Sequence, residues 1–172
     1  MSGSGVRSAL GAALQWIEPE ENPSGVVYGT IAVGAVLAAE APRRETFAST
    51  LEATLVALAL YWFAHTYARL TGRRVDGRER LAVRQVGRAL VHEWAIVKGA
   101  ATPIAVLVLC RLAGAGLETS VNAALWTSAG LLAGFEVLAA ARGSGTPMRR
   151  LIEAALGFLF GGGLLLLHLL LH

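Results

Sequence analysis

Apolar residues in this chain come in long blocks parted by short polar joints. Read with a window of about 19 residues, four blocks are long enough as helices to cross a hydrocarbon core of about 30 Å: 51–70, 94–113, 121–141 and 151–171. A fifth, 25–39, reaches about 22 Å as a helix and spans only where the bilayer thins or its flanks snorkel. Ahead of it, within 5–18, Leu10, Leu14 and Ile17 form a stripe at helical spacing. Glu18, Glu20 and Glu21 with Pro19 and Pro23 follow, a pattern that predicts an interfacial helix and a turn. Arg7 and these acids, in place of a small-residue cleavage site, argue against a cleavable signal. Further on, Asp76-Gly77 signals a turn, after which Arg80, Arg84, Arg88 and His92 recur every four residues. Val83, Val86, Leu90 and Trp94 hold another face, so 78–93 predicts a basic amphipathic helix leading into the third span. The fold class expected is all-α: a polytopic transmembrane bundle of five spans, the first short, with 1–172 as one membrane domain.

Composition agrees with lipid as the main solvent. Hydrophobic residues make up 55% of the chain and charged ones 16%, against about 25% charged in an ordinary soluble domain. Charge then sets orientation, because cytoplasmic loops carry the excess of Lys and Arg. With five spans, eleven arginines fall on the side of the N-terminus and the second-to-third and fourth-to-fifth loops, and three (Arg43, Arg44, Arg111) on the other. The expectation is a plasma-membrane protein with its N-terminus cytoplasmic and its C-terminus outside. Should 25–39 not cross, only the placement of the N-terminus changes.

Ionisable residues within spans are costly and form the default site hypothesis. His65 on the second span, Lys98 on the third and Glu136 on the fourth all fall in the cytoplasmic half, with His92, Glu93 and Glu153 at helix starts below them. Thr54, Tyr61 and His65 share one helical line and form a candidate polar track. Asn122 and Glu136 share a face of mostly small residues. As an ion pathway, His65 supplies a side chain suited to proton transfer, Glu136 a charge to carry or bind a cation, and Lys98 a gate, with Tyr61, Thr54 and Asn122 as lining. The plainer alternative has Lys98 paired with Glu136 or Glu93 and His65 hydrogen-bonded to Tyr61 or a carbonyl, holding helices together. Pro103 withdraws the hydrogen bond from the Gly99 carbonyl, which either lines a cavity or is satisfied by a neighbouring helix, the ordinary outcome in membrane helices.

Other chemistry finds less support. His65, His92, Glu93 and Glu136 are weak candidates for a metal site, and His92-Glu93 lacks the second histidine of an HExxH pair. Asp76 is the only aspartate and Cys110 the only cysteine, so neither a magnesium-diphosphate site built on several aspartates nor an intrachain disulfide is available. Catalytic signatures such as GxSxG, the P-loop and GxGxxG are missing, which leans against an enzyme, and no cofactor is expected. Arg80, Arg84 and Arg88 suit anionic lipid headgroups, or serve simply as a connector's topology signal; the stretch lacks the interleaved aromatics of a nucleic-acid site. Three GxxxG pairs occur, but with 20 glycines in 172 residues they carry little weight. A homo-oligomer is expected from size alone, since so few helices enclose little cavity.

The stretches Thr50 to Thr54, Tyr61 to Ala68 and Ala89 to Trp94 resemble those of small bacterial integral membrane proteins with no established activity. That resemblance implies an inner-membrane location and nothing about chemistry. The leading expectation is a small channel or transporter for protons or cations. The alternatives are a non-conducting membrane scaffold or partner- and lipid-binding protein, and, more remotely, a membrane-embedded metal or lipid enzyme.

Overall fold

A computed structural model describes residues 22–39, 46–75, 83–142 and 147–171. The described residues are all-helical: α1 (Pro23–Ala39), α2 (Phe47–Val75), α3 (Val83–His92), α4 (Trp94–Leu112), α5 (Leu117–Arg142) and α6 (Pro147–Leu171). Three helical stretches are long and apolar enough to cross a membrane, Phe47–Val75, Arg84–Leu112 and Leu117–Ala141, and two apolar ones are shorter, Pro23–Ala39 and Gly161–Leu170. The long helices match the expected spans, with α2 continuing five residues past 70 through Arg73 and Arg74. The interfacial helix expected at 5–18 lies outside the described residues, as does the first part of the basic helix at 78–93.

The short first helix turns out to be the centre of the bundle. It packs against α2, α4, α5 and α6, so its length is matched to protein neighbours more than to lipid. Its buried residues fall in pairs one turn apart, Gly25-Val26, Gly29-Thr30, Val33-Gly34 and Leu37-Ala38, a broad stripe at helical period. Glycine in this stripe lets backbones touch. A Cβ on Gly29 would lie 1.9 Å from the Ile96 carbonyl oxygen, and one on Gly99 would lie 2.0 Å from that of Val26, so α1 and α4 cross with no side chain between them. The core continues through Leu37, Leu58, Leu107, Val121 and Leu125.

Helix ends follow from local sequence. Asn22 caps α1: its Oδ1 accepts from the Gly25 amide at 3.0 Å and the Ser24 hydroxyl at 2.8 Å, and Pro23 takes the first helical position, where its missing N–H costs nothing. At the other end of the bundle α4 stops at Gly114, with φ 88°. There the Ala115 amide donates to the Cys110 carbonyl and the Gly114 amide to Arg111, both at 3.0 Å, the paired bonds of a Schellman cap.

Pro103 lies buried inside α4. The carbonyl it leaves unbonded, Gly99, accepts from the Thr30 hydroxyl at 3.1 Å, so a neighbouring helix satisfies it. The outer face of α2 carries Leu55, Val56, Leu60, Phe63 and Tyr67, all exposed, as expected of a helix whose partner on that side is lipid.

Candidate functional site

A cluster of polar side chains gathers where α3 gives way to α4. Glu93 stands at the joint, with φ −79° and ψ 1°, and its amide and carbonyl carry the chain across: the amide donates to Ala89 and the carbonyl accepts from Ile96, both at 3.0 Å. Its side chain makes no cap on its own helix and turns inward, where it is 1% exposed. Burying a carboxylate is costly unless it is paired and hydrogen-bonded, and three side chains from two segments provide for it. Arg69 of α2 donates from Nη1 to Oε1. Asn22, ahead of α1, donates from Nδ2 to Oε2 at 3.2 Å. His65, one turn before Arg69, places Nε2 3.5 Å from the same Oε2.

The surroundings hold these groups in place. The His65 ring lies between Tyr28 of α1, 5.3 Å away between centroids, and Tyr61, stacked at 6.2 Å. Trp62 donates its indole N–H to the Leu90 carbonyl at 3.3 Å and meets Trp94 edge-on at 5.6 Å. Asn22 reaches the His92 carbonyl at 3.3 Å as well. The last carbonyls of α3, which a helix end leaves unbonded, are thus met by side chains from α2 and from the segment before α1.

This cluster overlaps the one expected from sequence. His65 and Glu93 do meet, and Arg69 and Asn22 join them. Lys98 follows Glu93 by five residues, about 140° around the helix, and its side chain is exposed. Glu136 is half-buried on α5, which packs against α1, α4 and α6, with no substantial contact to α2. Asn122 is half-buried on the same helix, six residues and more than one turn from the Ser128 that meets α1. Thr54 is fully buried, and its hydroxyl donates to its own helix at Thr50, 2.7 Å away; the polar track through Thr54 therefore ends in a backbone bond. Among the described residues, no three His, Cys, Asp or Glu side chains converge to hold a metal ion, so His65 and Glu93 meet without a third such ligand.

Two members of the cluster were not singled out by sequence. Arg69 counted only toward topology, and Asn22 belonged to an acidic turn. The Asn-Pro-Ser-Gly order at 22–25 is itself a helix-start signal, and it could have marked Asn22 as a cap.

Beside the cluster, α2 and α3 enclose a cavity of about 280 Å³ lined by Arg69, Leu70, Arg73, Gln85, Arg88, Ala89 and His92. Of the arginines proposed for lipid contact, Arg88 lines it, Arg84 is exposed beside it on α3, and Arg80 lies outside the described residues. No protein-family model, curated protein or solved structure matches this chain.

Proposed function

We propose that the chain is a non-conducting scaffold of the plasma membrane, its five apolar helices crossing the bilayer and its Arg-rich end facing the cytoplasm. The count of arginines supports that orientation. The observation that carries the reading is the state of Glu93. Among the described residues it is the one fully buried carboxylate, and its oxygens are engaged by Arg69, Asn22 and His65. A carboxylate held in this way ties three segments together, and its charge is already met by a guanidinium. The Gly29–Gly99 crossing closes the bundle next to it, backbone on backbone.

A pathway requires His65 and Glu136 on one water-filled surface. Their helices, α2 and α5, make no substantial contact with each other, which supports the scaffold over the pathway. Protein reconstituted in liposomes is expected to pass protons and monovalent cations no faster than empty liposomes between about pH 5 and 8, the range in which histidines ordinarily change charge. Flux above that background, lost in folded His65→Ala or Glu136→Gln, would replace the scaffold by an ion pathway.

A further inference from the structure

The cavity between α2 and α3 has a composition that the scaffold reading does not use. Its polar lining consists of three guanidinium groups, Arg69, Arg73 and Arg88, with His92 and the Gln85 carboxamide, over a floor of Leu70 and Ala89. Among the described residues that line it there is no carboxylate. At about 280 Å³ it is close to the lower bound of ligand pockets, roughly 300 Å³, a size for one compact anionic group.

The arginines are placed by their helices. Arg69 and Arg73 are one turn apart on α2, and Arg88 and His92 one turn apart on α3, so each pair projects from a single face. Arg69 is also fixed in plane, because Glu93 holds Nη1. A guanidinium carries five N–H donors, and those not facing Glu93 remain for a second acceptor. Planar donor forks match carboxylate and phosphate oxygens in pairs, and three of them around one cavity suit the several oxygens of a phosphate.

Depth selects the source. Around this end of the bundle Tyr67 is 67% exposed, Trp94 46% and Val91 76%. Exposed Trp and Tyr beside arginines are the arrangement found at a membrane–water interface, and basic pockets between helices at that level receive lipid headgroups. The geometry points to a headgroup site here: the cavity takes the phosphate of an anionic phospholipid from the leaflet on the Arg-rich side. This rests on the scaffold's placement in the membrane and not on its being closed to ions.

The test is native mass spectrometry of the full-length protein released from detergent micelles holding equal phosphatidylglycerol and phosphatidylcholine, with and without inorganic phosphate. Retention of phosphatidylglycerol over phosphatidylcholine on the order of tenfold is expected, falling by a similar factor in Arg73→Gln/Arg88→Gln. Those two positions leave the Arg69–Glu93 pair intact, and Arg111→Gln at the opposite end is expected to retain the preference. Equal retention of the two lipids, or a preference unchanged in the double variant, would overturn the site. Displacement of the lipid by millimolar inorganic phosphate, with phosphate itself retained, would assign the cavity to a soluble anion and overturn the lipid assignment. Ion flux in liposomes reads the scaffold separately, so either proposal can fail alone.

Discussion

The exposures of Glu93 and Arg69 differ, and that difference decides what each contributes. Side-chain exposure is 1% for Glu93 and 33% for Arg69. Removing Arg69 strands a charge that water cannot reach, whereas removing the Glu93 charge leaves a guanidinium that can rehydrate. Loss of a partner from a buried pair costs about 3–5 kcal/mol, so Arg69→Ala is expected near the lower end of that range and Glu93→Gln at about 1 kcal/mol, the value of one ordinary hydrogen bond. Thermal unfolding in detergent reads the order, and a larger loss in Glu93→Gln would show that the pair is not what holds the joint. Asn22→Ala removes both the α1 cap and a donor to Glu93; about 1–2 kcal/mol is expected by the same measurement, and an unchanged midpoint would deny the cap. The sequence made His65 and Glu93 visible as ionisable groups at the edge of apolar blocks. It did not show their partners, because Asn22 and Glu93 are 71 residues apart and periodicity along one helix says nothing about which distant segment arrives beside it.

At the scale of the helices, length and hydropathy made the long elements legible to within a few residues, since both are local properties. The role of 25–39 was not legible in the same way. Its shortness read as an incomplete span, yet α1 is the element the others surround, and the reason lies in three glycines whose significance depends on what faces them. Gly29 meets the Ile96 carbonyl, whereas nothing lies within 4 Å of a Cβ placed on Gly130 or Gly134. Both belong to GxxxG pairs, so spacing alone does not separate them. Gly29→Ala is expected to force α1 and α4 apart at a cost of about 1–3 kcal/mol or more. Gly134→Ala is expected to be neutral or to stabilise by up to about 1 kcal/mol, since alanine is the better helix former. Unfolding midpoints of the two variants, compared with wild type, check this; equal destabilisation would mean that the open face of α5 is covered. The run Gly161 to Gly163 divides likewise, Gly161 lying against Ala129 and the next two meeting nothing within 4 Å.

For the whole molecule, the arginine count was legible because topology signals are additive, and it leads to a prediction of sidedness. In a Cys110→Ser background, Gly72→Cys at the exposed Arg-rich end of α2 is expected to react with a membrane-impermeant thiol reagent only from the cytoplasm, and Gly116→Cys, exposed between α4 and α5, only from outside. The reverse pattern would invert the bundle. Whether the interior admits water was not legible, because polar residues that share a helical line form a track only if no neighbour fills it. Thr54 is buried and bonded to its own helix, and Ala100 and Ala124 are fully enclosed. The most direct measurement is therefore the reactivity of Thr54→Cys, Ala100→Cys and Ala124→Cys toward the same charged reagent from both sides, with Gly72→Cys and Gly116→Cys as the reactive references. A closed scaffold predicts that the three interior positions stay unlabelled while the references react fully. Labelling of the interior positions in folded protein would reveal a water-filled passage and contradict the non-conducting assignment.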